Sequence, residues 1–181
     1  GATLDVVTGR EAEFFETSTV ERRQVDLSVD LRPTPQLRVG TLLRWQRFDR
    51  VRDGSLFSEQ LVPRLRLEYQ LTRALFVRVI GQVESRDRDA LRDPRTERPI
   101  LRPDDTGLFA PVGARRSLIG RADWLVSYLP SPGTVVFVGY GAALDAEPTY
   151  RPGEFQRRAD GFFVRVSYLW RAGVGRPPAM R

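Results

Sequence analysis

The chain has 181 residues, of which 41% are hydrophobic and 29% charged, with a formal net charge of +6. This composition excludes an intrinsically disordered chain, and no window of the sequence holds the roughly 18 consecutive apolar residues that a membrane-spanning helix needs. The absence of His and Cys excludes Ser-His-Asp and Cys-His catalysis and the zinc sites that those residues build. Any membrane-spanning segment of this chain must therefore be a strand.

Eight stretches, taken in chain order, alternate apolar and polar residues with a period of two. This alternation is typical of strands with one apolar and one polar face. The first stretch is the weakest, and the eighth, with Val164 and Val166 on either side of Arg165, is the clearest. They cover residues 2–8, 20–32, 36–48, 56–71, 74–85, 117–129, 134–143 and 160–170.

The connectors between these stretches alternate short and long. Residues 131–134 read Ser-Pro-Gly-Thr, with Gly at the position where a type II turn needs positive φ. Asp53-Gly54 marks a second turn, and Pro63 predicts a bulge or a strand start because proline has no N–H to donate. The short connectors are 32–35, 71–73 and 129–133, and the long ones are 9–19, 49–55, 86–116 and 144–159.

Strands that run up and down with short turns at one end and long loops at the other are typical of bacterial outer-membrane barrels. We therefore predict an all-β, antiparallel up-and-down transmembrane β-barrel, of which about eight strands are visible. We expect residues 1–171 to be a barrel segment, the C-terminal part of a longer protein, and residues 172–181 to be a tail. The short turns are expected on the periplasmic side and the long loops outside, above all 86–116.

Period-two alternation alone does not separate a membrane barrel from a soluble antiparallel β-sheet binding module whose apolar strand faces form a core. Three features favour the membrane: the length of the strands, the dense mixture of Arg and acids on their polar faces, and aromatic residues near strand ends that suggest a girdle. The aromatic residues are Trp45, Tyr69, Trp124, Tyr128, Phe162, Tyr168 and Trp170. Acids and arginines that we expect to pair across strands are Asp26, Asp30, Arg64, Arg66, Glu68 and Asp123.

The positive charge comes from 29 arginines, and Lys and Asn are absent. This usage is typical of a GC-rich genome. The arginines are spread along every strand and loop instead of being gathered into one stripe, so we predict no nucleic-acid partner. A basic surface also suits the phosphates of an anionic lipid leaflet.

Acidic residues are the remaining candidates for chemistry. Asp104-Asp105 and Asp87/Asp89 are conceivable carboxylate pairs, but acids in an Arg-rich loop are more often solvated charges. Asp87, Asp89 and Asp93 resemble the start of a calcium loop, although Arg88 and Arg92 interrupt it and no closing Glu has the right spacing. We therefore predict no catalytic, metal-binding or cofactor-binding residue and no enzyme. A carboxylate-dependent hydrolase on a barrel scaffold ranks last.

Two segments carry a more specific resemblance. Residues 124–141 read WLVSYLPSPGTVVFVGYG, and residues 160–171 read DGFFVRVSYLWR. With RLRLEY at 64–69, they resemble the C-terminal end of a family of uncharacterised bacterial proteins with an N-terminal module similar to family-nine carbohydrate-binding domains. The resemblance implies a larger outer-membrane barrel and polysaccharide as a partner of that N-terminal module.

The expected function follows from this architecture. We predict a non-enzymatic protein of the cell outer membrane that passes a solute or glycan or serves as a surface tether. Its expected partners are the lipid bilayer and the barrel-assembly machinery, which reads the aromatic residue of the last strand.

Overall fold

The computed structural model describes residues 1–103, 105–147, 150–151 and 153–169. Within these residues the secondary structure consists of strands, and none of them belongs to a helix that is long and apolar enough to span a bilayer. Trp170 and the predicted tail at 172–181 lie outside the described residues. The strands are β1 (Ala2–Glu13), β2 (Ser18–Leu31), β3 (Leu37–Arg50), β4 (Leu56–Gln70), β5 (Leu75–Arg88), β6 (Leu101–Pro103), β7 (Phe109–Pro111), β8 (Arg115–Ser131), β9 (Thr134–Asp145) and β10 (Gln156–Tyr168).

The eight long strands form one antiparallel sheet in which each strand pairs with its neighbours along the chain. The order is β1-β2-β3-β4-β5-β8-β9-β10. Residues directly opposite each other share a face, so the pairs Leu27 with Leu43 and Val126 with Val138 keep apolar side chains together. The prediction of an all-β, antiparallel, up-and-down sheet of eight strands is confirmed.

The sheet of the described residues is open. β1 and β10 lie at its two ends and are not hydrogen-bonded to each other. The finer prediction, a closed barrel, is therefore not shown by this fold.

All the long strands except β4 are longer than the alternation predicted. β1 continues to Glu13 instead of ending at residue 8, because its register with β2 runs without a shift from Ala2 to Glu13. The connector predicted at 9–19 shrinks to residues 14–17. The periodicity missed this extension because residues 9–11, Gly-Arg-Glu, carry no apolar side chain.

Pro63 does not cause the bulge that we predicted. Pro63 pairs with Leu43 of β3, and the register between β4 and β5 is the same on both sides of it. The ladder on the β5 side leaves out Val62 and Pro63, which suits a residue without an N–H. The register shift of β4 lies instead near the start of the strand, opposite Phe48 and Asp49.

The long segment between β5 and β8 is partly ordered. β6 and β7 pair there as a small antiparallel sheet, and an isolated bridge joins Arg92 to Pro99. Three apolar residues of this segment pack at one end of the large sheet: Leu91 is buried with Val20 and Phe57, and Ile100 and Val112 lie against them. The long loop therefore supplies half of a small apolar cluster, which the polar composition of 86–116 did not indicate.

Outside that cluster the fold has little buried core. Most residues of the eight long strands are at least partly exposed, as expected of a single layer of sheet.

Gly133 closes the turn between β8 and β9 with φ of +93°, as the predicted type II turn requires. An added Cβ would also lie 3.2 Å from the Cβ of Leu169. We expect Gly133→Ala to lower the free energy of unfolding by about 1–2 kcal/mol, because residues with a side chain are strained at positive φ. Denaturant unfolding measures this loss. Gly113→Ala is the matched control, since nothing lies near its position, and an equal loss in both variants would contradict the prediction.

Candidate functional site

One face of the sheet, here called the apolar face, carries apolar or small uncharged side chains over the middle of every long strand. The alternate positions of residues 2–6, 25–31, 37–45, 61–69, 75–83, 118–128, 136–144 and 162–168 lie on it, as their cross-strand pairing shows. None of these positions holds a charged residue. The exceptions to large apolar residues are Ala2, Thr41, Pro63, Gly81, Gly120, Ala122 and Ala142.

This apolar face is exposed. Leu65, on the central strand β4, is 45% exposed, and Val166 and Tyr168 on β10 are 64% and 70% exposed. The small sheet of β6 and β7 does not cover it, because Leu91, Ile100 and Val112 of the same loop pack against Val20, which shares a face with the polar residues of β2. Within the described residues no second layer lies over the apolar face.

Charged residues replace the apolar ones where the same face reaches the long-loop end of the strands. Arg10 lies 3.5 Å from Glu21, and the guanidinium of Arg116 lies 2.7 Å from the carboxylate of Asp87. The indole N–H of Trp45 donates to Glu59, the next residue of β4 on this face. The apolar region is therefore a band with a charged border on this side.

The aromatic residues of the predicted girdle all lie on the apolar face where they are described. Tyr69, Tyr128 and Tyr168 lie within three residues of the short-turn end of their strands. Trp124 does not follow the prediction, because it lies in the middle of β8 and stacks on Tyr140 with ring centroids 6.3 Å apart. Three of the described aromatic residues are therefore grouped at the short-turn end, and the girdle itself stays a prediction.

The opposite face, here called the polar face, carries ion pairs that cross the strands. Asp26 of β2 accepts hydrogen bonds from the guanidinium of Arg44 on β3 at 2.8 Å and 3.2 Å. Asp30 accepts from Arg38 at 3.2 Å and from Arg66 at 3.3 Å. Three of the six residues predicted to pair across strands do so: Asp26, Asp30 and Arg66. Glu68 lies 3.8 Å from Arg66, which belongs to its own strand.

The other two predicted partners, Arg64 and Asp123, form no ion pair within the described residues. The carboxylate of Asp123 instead occupies space that a Cβ at Gly141 would fill. The alternation placed both residues on the correct face but gave no information on which charges are within reach of each other.

At the long-loop end, a buried guanidinium joins three connectors. Arg50, the last residue of β3, is 1% exposed, and two of its guanidinium nitrogens donate hydrogen bonds to the carboxylate of Glu16. The shorter of these contacts is 2.7 Å. Its third nitrogen donates to Asp89 at 3.0 Å. The carbonyl oxygens of Leu56 and Ala90 accept two further hydrogen bonds. Arg50 therefore ties the β1–β2 turn to the β3–β4 connector and the long loop.

Glu16 is the acid at the centre of this network. Its carboxylate also accepts from the backbone N–H of Arg92 at 2.9 Å and lies 3.6 Å from Arg52. Burial raises the pKa of Glu16, but the hydrogen bonds from Arg50 and Arg92 and the charges of Arg50 and Arg52 outweigh it. The pKa therefore lies below its usual value of 4.5. Asp89 behaves alike: burial raises its pKa, and Ala90, Arg50 and Arg92 bring it below 3.8.

The acids considered for chemistry are engaged in structural contacts. Asp87 pairs with Arg116, Asp89 pairs with Arg50 and Arg92, and Asp93 accepts from the backbone of Arg95 and Thr96. Asp104 lies outside the described residues, so the Asp104-Asp105 pair is not assessed by this geometry. Among the residues that the structure describes, no group of three acids, His or Cys is placed to hold a metal ion.

We expect Arg50→Met to lower the free energy of unfolding by about 3–5 kcal/mol, because it leaves the buried carboxylate of Glu16 without its main partner. The segment 92–102 should also become open to trypsin, which cleaves after arginine. Arg10→Met is the matched control and should cost less than about 1 kcal/mol, since the pair of Arg10 with Glu21 is exposed. Equal tryptic resistance of the two variants would contradict this role for Arg50.

The network also predicts a dependence on pH. Because the folded pKa of Glu16 lies below 4.5, the unfolded chain binds more protons, and stability rises with pH through this range. The contribution of Glu16 is complete above about pH 4.5 and is lost as the pH falls through the folded pKa. The backbone amide of Arg92 donates a hydrogen bond to Glu16. As the pH falls through the folded pKa of Glu16, hydrogen exchange of this amide should become faster than its intrinsic pH dependence predicts. In Glu16→Gln this added acceleration should be absent.

Comparison with known proteins adds no identification. No protein family, no curated protein and no solved structure matches this chain. The resemblance of residues 124–141 and 160–171 to a family of barrel proteins stays a prediction. The two faces of the sheet and the network around Arg50 are therefore the structural features that bear on function.

Proposed function

We propose that this chain is a section of the wall of a β-barrel in the cell outer membrane. Its apolar face contacts lipid, and its polar face lines the interior. The single observation that carries this proposal is the uncharged, exposed band on the apolar face, bordered by ion pairs at the long-loop end. Outer-membrane barrels have this arrangement, with an apolar band outside and a polar interior.

The dimensions of the band support the proposal. On β3, β4 and β5 the band covers residues 37–45, 61–69 and 75–83, or nine residues on each strand. Eight steps of about 3.3 Å give about 26 Å along the strand, and a tilt of about 40° reduces this to about 20 Å of height. A transmembrane strand needs about 9–11 residues, and the apolar band of such barrels is about 25 Å tall.

The polar face supports a lumen. Its charges pair across strands, as Asp26 and Asp30 do with Arg44, Arg38 and Arg66. A charged interior of this kind is typical of barrels in which acids and bases compensate each other. The long loop packs at the same end as Arg50, and we place that end outside the cell and the short turns in the periplasm. The protein is non-enzymatic in this proposal and passes a solute or glycan or tethers the surface.

A soluble binding module needs a second layer over the apolar face, because a single exposed sheet of this size does not stay monomeric in water. The described residues contain no such layer. Nothing in the geometry favours the soluble alternative over the membrane wall.

Insertion into lipid tests the proposal. We expect the chain to float with phospholipid vesicles in a density gradient and to need detergent for solubility. Leu65→Arg should reduce flotation strongly, because Arg on the lipid face at the bilayer centre costs about 2–4 kcal/mol. Ser28→Arg is the control: it places the same charge on the polar face of β2, where the residues directly opposite, Thr3 and Leu42, are uncharged, and it should float like the original chain.

The outcomes separate the two interpretations. A chain that stays monomeric in plain buffer and does not float would overturn the membrane proposal. Equal flotation of Leu65→Arg and Ser28→Arg would show that the apolar face is not the face in contact with lipid.

A further inference from the structure

The two outer edges of the sheet are built to be paired. β1 is a strand of 12 residues without proline and without a register shift, and β10 has 13 residues with one irregularity, near Arg157 at its long-loop end. Natural edge strands are usually short, bulged or blocked by Lys or Pro, because a free edge pairs with other chains. Neither edge has that protection over its main length.

Each edge also carries a charge without a partner. Asp5 of β1 lies directly opposite Asp26, whose carboxylate is held by Arg44, and Asp5 itself has no ion pair within the described residues. Like charges in directly opposed positions destabilise a sheet, so Asp5 needs a cation from its free side. Arg165 of β10 lies opposite Phe137 and has no acid within reach in the described part of the chain.

These two charges fit each other. Asp5 and Arg165 both lie on the polar face. Asp5 is three residues from Ala2 and Arg165 is three residues from Tyr168, and these two residues are the short-turn ends of β1 and β10. An antiparallel pairing with Ala2 opposite Tyr168 places Asp5 opposite Arg165. In the same register Leu4 meets Val166 and Val6 meets Val164, all on the apolar face and all more than half exposed.

We propose that the β1 edge pairs with the β10 edge of a second copy of this chain, in the register that joins Asp5 to Arg165. This inference rests on the proposed function, because it completes the wall. The sheet has an even number of strands, so β1 and β10 run in opposite directions. A second copy therefore continues the antiparallel order with all long loops at one end, and two such junctions close a ring.

A second copy is favoured over closure within one chain. In a single chain β1 and β10 do not pair, and both are exposed along almost their whole length. A closed barrel of about 8 strands has an interior filled by its own side chains, whereas about 16 strands enclose an aqueous channel. The pairing of two copies thus supplies the lumen that the polar face is proposed to line.

Single cysteines test this junction directly, because the chain has none of its own. Thr3 and Ser167 are opposite each other in the proposed register and lie on the polar face. Equal amounts of Thr3→Cys and Ser167→Cys chains are mixed, refolded together in vesicles and oxidised. We expect a covalent dimer of one chain of each kind on non-reducing gels.

Val7→Cys mixed with Ser167→Cys is the matched control. Val7 is on the same face but four residues out of register, or about 13 Å, whereas a disulfide needs Cα atoms within about 7 Å, so the dimer yield should fall at least about tenfold. Equal yields from both mixtures would overturn the register.

The double variant Thr3→Cys/Ser167→Cys separates the occupants of the edge. Covalent dimers support the proposal. A monomer with an internal disulfide overturns it in favour of closure within one chain, and the absence of any cross-link overturns it in favour of strands from another source. Flotation of the same samples tests the membrane wall separately. Cross-linking without flotation would contradict the proposed function but would still support the pairing of the two edges.

Charge exchange gives a second readout. Asp5→Arg or Arg165→Asp alone should lower the yield of the mixed disulfide by about two- to fivefold, the effect of one cross-strand ion pair. When every chain in the mixture carries both changes, opposite charges face each other again at the junction, and the yield should be restored. Failure of the exchange to restore it would overturn the contact between Asp5 and Arg165.

Discussion

Hydrogen bonding between neighbouring strands is the constraint on which the rest of this structure depends. Each long strand is paired along most of its length, and this pairing forces side chains to alternate between two faces. Once Leu27 lies opposite Leu43, Asp26 must lie opposite Arg44, one residue away on the other face. A slip of one residue would exchange the faces completely, so the apolar band and the ion pairs are two results of one register.

The sequence predicted those parts of the fold that depend on local alternation. The faces of Val25, Leu67 and Val166 follow from their neighbours alone, and Pro132-Gly133 marks its turn by its own conformational preference. Strand ends were less predictable, because residues 9–11 and 86–88 are polar on both sides and are held as strand by pairing. The closure of the sheet could not be read from alternation, since it depends on which strands meet at the edges.

The network at the long-loop end was not predictable for a different reason. Glu16 lies 34 residues before Arg50 and Asp89 lies 39 residues after it, and the three residues share no sequence pattern. The one available signal was a set of isolated apolar residues, Leu91, Ile100 and Val112, in an otherwise polar loop. Apolar residues in a long polar loop indicate that part of the loop packs against the rest of the fold, because a fully solvated loop gains no stability from exposing them.

The contact between Arg50 and the long loop also bears on the order in which the chain folds. Most adjacent strands pair through short turns such as 71–74, which close small loops at little entropic cost, whereas residues 89–114 join β5 to β8. The bond from Arg50 to Ala90 spans 40 residues and has no geometry until β4 and β5 are both in place. We therefore expect the contacts of the buried Arg50 guanidinium to form after the strands beneath it have paired.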